Sequence, residues 1–269
     1  MIRRRPPAHL AGVITDLCAY RETMPGRLVQ RETASLVVPL VISLGSPFSI
    51  ALGRNPGPSD RQPSFAAGLY PGPVHIASDG AAECVQVNLT PLGAYRLFGG
   101  AVAELAARMV DIEAVLGPAA GRLRQRLGET TAPGRRLALV EDFIAARLAR
   151  QPSPEIAFAW RELARNGGTR RIAGLAGEIG WSRKHFSGRF AAEIGLAPKV
   201  VARMMRFDRA CRLALAGGGA GWADIAAEAG YADQAHLARE FAELAGEPPR
   251  AWARRAAASD PRLALRQDG

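Results

Sequence analysis

The chain has 269 residues, 48% of them hydrophobic and 22% charged, with a formal charge of +10 and a pI of about 10.6. That balance supports a buried core, excludes wholesale disorder, and allows one large domain or two ordinary ones. The surplus of positive charge points to an anionic partner. Cys18, Cys84 and Cys211 lie far apart with no CxxC pair, which argues against a disulfide framework and a zinc site. No apolar run reaches the ~18–20 residues of a membrane helix. Met1-Ile-Arg-Arg-Arg-Pro-Pro is not followed by the apolar core of a signal peptide, so a cytoplasmic chain is expected.

The first half reads as mixed strand and helix. Strand signals are Leu36–Leu44, Phe48–Leu52, Phe65–Tyr70, Val74–Ala77 and Cys84–Leu89, punctuated by Gly and Pro at 53–58 and 71–73. This spacing predicts a small antiparallel sheet or barrel rather than a βαβ fold. Residues 92–127 turn helical, and a clear amphipathic helix follows over 134–150, with Leu137, Val140, Ile144 and Leu148 at helical steps. Its apolar stripe suits packing on the sheet better than a dimer seam. Gln151-Pro-Ser-Pro154 breaks the helix and marks the domain boundary.

The second half reads as helices and short turns: Ser153–Asn166, Arg171–Gly180, Ser182–Ile194, Pro198–Ala216, Trp222–Gly230 and Asp233–Ala245, with Gly217-Gly-Gly219 as a flexible link. Three segments are therefore expected: a regulatory, sensor or dimerisation domain over 1–152, an all-helical domain over 153–258, and a flexible tail over 259–269.

An internal repeat runs through the helical half. Ala176-Gly-Glu-Ile-Gly-Trp181 returns as Ala226-Ala-Glu-Ala-Gly-Tyr231; one residue later in register, His185-Phe186 returns as His236-Leu237 and Phe190 as Phe241. Each copy has the order of a helix-turn-helix. An apolar helix ends at Gly180 or Gly230, where the left-handed backbone favours glycine. Ser182 or Asp233 then caps a second helix. That second helix buries Phe186, Phe190 and Ile194 in copy one, and Leu237, Phe241 and Leu244 in copy two. It keeps Arg183, Lys184, Ser187 and Gly188, or Gln234, Ala235, His236 and Arg239, on the other face. Such a helix fits the major groove, where Lys or Arg donates to guanine and Gln pairs with adenine. Trp181 and Tyr231 read as core anchors of the turns.

Charge is segregated. Residues 161–212 hold 12 basic and 4 acidic residues (+8), whereas 213–249 hold Arg239 against six acids (−5). Copy one is therefore expected to supply most affinity and copy two to refine it. The joining helix carries Lys199, Arg203, Arg206, Arg209 and Arg212 at three- and four-residue steps, a stripe suited to phosphate contact, with a solvated face pairing with Asp208 as the plainer reading.

From about Ile156 to Ala256 this arrangement resembles the DNA-binding domain of the AraC/XylS family of bacterial transcription regulators. The resemblance is strongest over Gly230-Tyr-Ala-Asp-Gln-Ala-His-Leu-Ala-Arg-Glu-Phe-Ala-Glu-Leu-Ala-Gly-Glu-Pro-Pro-Arg-Ala-Trp252 and present in Trp181-Ser-Arg-Lys-His-Phe-Ser-Gly-Arg-Phe190. It implies base readout by Lys184, Ser187, Gln234 and Arg239, with Arg183, His236, Lys199, Arg203 and Arg206 at the DNA backbone. Gly188 departs from the Arg that many members carry there. Val87–Phe98, with Ala103–Leu105 and Val110–Gly117, resembles an N-terminal domain that precedes such regulators. The implied partners are double-stranded operator DNA, RNA polymerase, a small-molecule effector and a second copy in a homodimer; no membrane, metal or cofactor is expected.

Enzymatic readings have little support. His75 with Asp79 and Glu83 is a poor metal set, Cys84 reads as a buried strand residue, and no GxSxG, P-loop or GxGxxG stands at a strand-to-helix turn. Two alternatives stand beside a sequence-specific transcription factor. One is a general nucleic-acid-binding protein held by charge alone; the other is an enzyme-like, effector-binding first half with DNA binding secondary.

Overall fold

The computed structural model describes residues 1–23, 26–216 and 221–259. The Gly217–Gly219 link and all but the first residue of the 259–269 tail lie outside the described residues. The first half forms strands β1 (Ile2–Arg4), β2 (Ile14–Arg21), β3 (Leu28–Glu32), β4 (Val38–Ser43), β5 (Phe48–Leu52), β6 (Arg61–Gln62), β7 (Phe65–Ala67), β8 (Val74–Ser78), β9 (Glu83–Leu89) and β10 (Met109–Asp111). Helices α1 (Pro91–Phe98), α2 (Ala101–Leu105), α3 (Ile112–Leu116), α4 (Pro118–Glu129) and α5 (Pro133–Ala145) complete it. The strands build two antiparallel sheets, one in the order β1-β2-β9-β4-β7-β10 and the other β3-β8-β5-β6.

Alternation explains the layering. Along β9, Val85, Val87 and Leu89 are fully buried and join a core with Leu17, Leu40 and Ile42 and with Leu137, Val140 and Ile144 of α5. The intervening Cys84, Gln86 and Asn88 face a cavity against the second sheet. The stripe of α5 is thus spent on its own sheet, as its period indicated. The helical stretch 92–127 is real but interrupted: Gly99 ends α1, and Gly117 separates α3 from α4 at positive φ.

The second half contains α6 (Pro154–Arg165), α7 (Ile172–Ile179), α8 (Arg183–Ile194), α9 (Pro198–Leu215), α10 (Trp222–Ala229), α11 (Gln234–Ala245) and α12 (Pro249–Ser259). One hydrophobic cluster runs from the sheet through α6, α7 and α8 to Met205. A second gathers Met204, Phe207, Ile225, Leu237, Phe241 and Trp252 with Ala34 of the first half. The second half therefore packs against the first at two places. The helix α8 lies on α1 and α2, and the end of α11 meets the segment after β3, where Ala34 N–H donates to the Leu244 carbonyl at 2.8 Å.

Candidate nucleic-acid interface

The repeat read from the sequence is a repeat in space. Gly180 and Gly230 end α7 and α10 at φ +78° and +85°, the left-handed geometry that carries no Cβ penalty in glycine. Each turn returns its next amide inward, Trp181 N–H to the Ala176 carbonyl and Tyr231 N–H to the Ala226 carbonyl, both at 2.9 Å. The next helices start on side-chain caps: Ser182 Oγ accepts from His185 N–H at 3.2 Å, and Asp233 Oδ1 from His236 N–H at 2.6 Å. In both copies the turn aromatic meets the capped histidine edge to face, Trp181 with His185 at 4.6 Å and Tyr231 with His236 at 5.2 Å. Tyr231 is buried and Trp181 half-buried against the core, so both act as anchors of the turns. Phe186, Phe190, Leu237 and Phe241 are fully buried.

The opposite faces are open with the first half in place. Arg183, Lys184, Gln234 and Arg239 are exposed and Ser187 is partly so; among the described residues, none of the four exposed side chains makes a hydrogen bond or ion pair. His236 is 37% exposed and stands 3.5 Å from Glu240 Oε1. Gly188 is exposed, with nothing within 4 Å of the place its Cβ would take. Its neighbour Arg189 turns to Glu193, at 2.7 Å, rather than outward along the Gly188 line.

The arginines of α9 are paired within the domain, Arg212 with Asp208 as in the plainer reading of the stripe. Lys199 is exposed and without an ion pair among the described residues. Arg203 Nε donates to Glu240 Oε1 at 2.9 Å, and its other end pairs with Glu243. Arg206 Nη1 donates to the Gly168 carbonyl at 3.2 Å and Nη2 to Glu240 Oε1 at 3.3 Å. Arg209 stands 3.8 Å from Glu228, and Arg212 pairs with Asp208 at 3.2 Å. Arg203 and Arg206, expected at the DNA backbone, are thus engaged inside the domain. The same pairs absorb much of the charge contrast between residues 161–212 and 213–249: the acids of the second unit neutralise the arginines of the joining helix. The cations left open on the second halves of the two repeats are Arg183, Lys184 and Arg239.

Two buried acids of the second half were missed. Glu193 is 1% exposed and accepts from Ser153 N–H and Ser153 Oγ, both at 2.8 Å, which fastens the start of α6 to α8. Glu240 is 5% exposed and gathers Arg203 and Arg206. The signal was present in the period: each lies three residues beyond a buried apolar position, Phe190 or Leu237, inside the buried stripe.

The cavity between the sheets has a volume of about 220 Å3. Phe48, Ile50, Phe65 and Ile76 give it apolar walls, and Trp252 and Arg255 of α12 contribute to its lining. At that seam Glu247 pairs with both Arg31 of β3 and Arg255, the latter at 2.7 Å, and Arg255 Nη1 donates to the Arg31 carbonyl at 3.3 Å. The cavity therefore touches both halves of the chain. His75, Asp79 and Glu83 do not converge: His75 Nδ1 meets Asn55 at 3.0 Å, Asp79 accepts from Ala81 N–H, and Glu83 pairs with Arg136. Burial, and then Arg31, pushes the His75 imidazole below its ordinary value. Cys84 is buried, as its strand position indicated.

Residues 175–255 match a family model described as a helix-turn-helix domain. No curated protein matches the chain. Among solved structures, the DNA-binding domain of AdpA in complex with a target DNA is 22% identical, with a TM-score of 0.36, over 44% of this chain and 100% of that one. The C-terminal domain of AraT, a response regulator from Geobacillus stearothermophilus, is 19% identical, with a TM-score of 0.37, over 42% of this chain and 96% of that one. ToxT from Vibrio cholerae O395 is 12% identical, with a TM-score of 0.47, over 88% of this chain and 96% of that one. The matched segment begins in α7, takes in both capped helices and ends in α12. Residues 175–255 are thus those of a helix-turn-helix domain.

Proposed function

We propose that the chain binds double-stranded DNA in a sequence-specific manner, placing α8 and α11 in successive major grooves, and regulates transcription under the control of a small molecule. One observation carries this reading: two similarly capped helices flank the same α9 and leave unpaired Lys, Arg and Gln side chains on their open faces. Lys184, Ser187, Gln234 and Arg239 read bases; Arg183, His236 and Lys199 meet the phosphates. Arg203 and Arg206 are left out of the backbone set because Glu240 holds them. Residues 1–152 form the regulatory domain and 153–258 the reader, in a cytoplasmic protein; among the described residues no helix is long and apolar enough to cross a membrane.

The cavity supports effector control. Its walls suit a small, partly apolar molecule, and Trp252 and Arg255 tie it to the reader. An occupant that shifts the Arg31–Glu247–Arg255 seam alters how α11 is presented to DNA or how the complex meets RNA polymerase.

Selection of bound duplexes from a random pool, with the full chain, tests the reading. The expected product is two short blocks about one helical turn apart. A salt series then compares the selected duplex with a scrambled one. Sequence-specific binding keeps a preference at every salt, whereas a charge-held coater shows none.

A further inference from the structure

We infer that Arg206 and Glu240 are positioning residues: together they fix the separation and relative turn of the two reading helices, and so the spacing of the two DNA blocks the chain accepts. This rests on the two-groove reading above and goes beyond it.

The two units share little apolar packing. The hydrophobic cluster of the first unit ends at Met205 on α9, and that of the second begins at Met204 on the same helix. The two clusters are separate, so the mutual placement of the units depends on α9, on the first half against which α8 and α11 both pack, and on whatever spans the gap beside α9. Arg206 spans it. One guanidinium nitrogen holds the Gly168 carbonyl, at the turn leading into α7 of the first unit; another holds Glu240, on the reading helix of the second. Its guanidinium carbon also lies 5.7 Å from the centre of the Tyr231 ring, at the turn of the second unit. The Thr169 side chain comes close at the same place: a Cβ on Gly230 would run into Thr169 Cγ2.

The joint is not built for cohesion alone. Arg206 Nε is buried without a hydrogen-bond partner. A buried ion pair with an unmet polar atom is a poor stabiliser compared with apolar packing, and setting register is the best-attested use of such pairs. The acid also occupies a position inside the buried stripe of α11, where a leucine would pack.

The test varies the gap between the two selected blocks in single base-pair steps and measures the dissociation constant at each. One step moves the second block by about 3.4 Å and turns it by roughly 34–36°. The wild-type chain is expected to lose roughly tenfold per step, the loss of at least one base contact. The double variant Arg206→Met with Glu240→Leu removes both charges and leaves neither buried alone. It is expected to bind neighbouring spacings within about threefold of one another. Arg206→Lys, which keeps a charge opposite Glu240, should restore part of the discrimination. Glu240→Gln, nearly isosteric, serves the same purpose if the double variant fails to fold.

If the folded double variant, or Glu240→Gln in its place, keeps the wild-type steepness or loses affinity equally at every spacing, the pair only stabilises and the inference is overturned. If the wild-type chain selects no two-block site at all, the two-groove reading fails first and takes the inference with it.

Discussion

Gly188 stands in the middle of α8, six residues into a twelve-residue helix, on the exposed face between Lys184 and Ala192. Its backbone does not require glycine, because its φ is not positive, and an added Cβ would meet nothing within 4 Å. Replacing it by Ala therefore removes the entropic cost of glycine and introduces no clash. The gain is the full helix-interior difference, about 0.8–1.0 kcal/mol. For a chain of this length that corresponds to a rise of roughly 2–4 °C in Tm, read by calorimetry or by circular dichroism at 222 nm. Gly188→Arg should keep most of that gain and add a cation beside Lys184, which tightens DNA binding and steepens its salt dependence by about one phosphate contact. A lower Tm for Gly188→Ala would refute the reasoning, because it would mean that the helix has a constraint at this position that its open surroundings do not show. A higher Tm with weaker DNA binding would instead mark 188 as a point where backbone and DNA approach closely.

Three further outcomes are expected. Asp233→Ala removes the acceptor for His236 N–H and should cost about 1 kcal/mol of stability, with unit two weakened on DNA before unit one; an unchanged melt would show that the cap is redundant. Lys184→Ala and Arg239→Ala should each relax selectivity at one base position by roughly 1–3 kcal/mol; equal weakening on every duplex would assign the side chain to phosphate. Burial, reinforced by the Glu240 carboxylate, holds the Tyr231 phenol well above the ordinary tyrosine range. Tyr231→Phe should therefore leave the phenolate absorbance that appears near pH 10 unchanged. Because the phenol ionises more readily in the unfolded chain, the wild-type protein should lose stability as pH rises above about 10, and Tyr231→Phe should lose less.

The reader was largely legible because its signals are local. Gly180 and Gly230, the Ser182 and Asp233 caps and the Phe186–Phe190 and Leu237–Phe241 steps all fall within a few residues of one another, and each takes the predicted role. What was hidden depends on partners remote in sequence. Arg203 and Arg206 look like one charged face of α9, yet their acids lie 37 and 34 residues away. Strands β2 and β3 escaped notice because the faces turned to the cavity carry Asp16, Tyr20 and Gln30, which blurs the apolar signal expected of a buried strand. The helix α12 has no separate signal in the sequence, where the last helix read ends at Ala245. Only Trp252, fully buried against Phe241 at 5.5 Å between ring centres, gives it a place in the core.

Guanine methylation interference on the selected duplex measures the central claim most directly, since the guanine N7 lies in the major groove. One bound chain should give two clusters of interfering guanines, centred about 10–10.5 base pairs apart on the same face of the helix. A single cluster, or two clusters half a turn apart on opposite faces, would contradict a reader that enters successive major grooves.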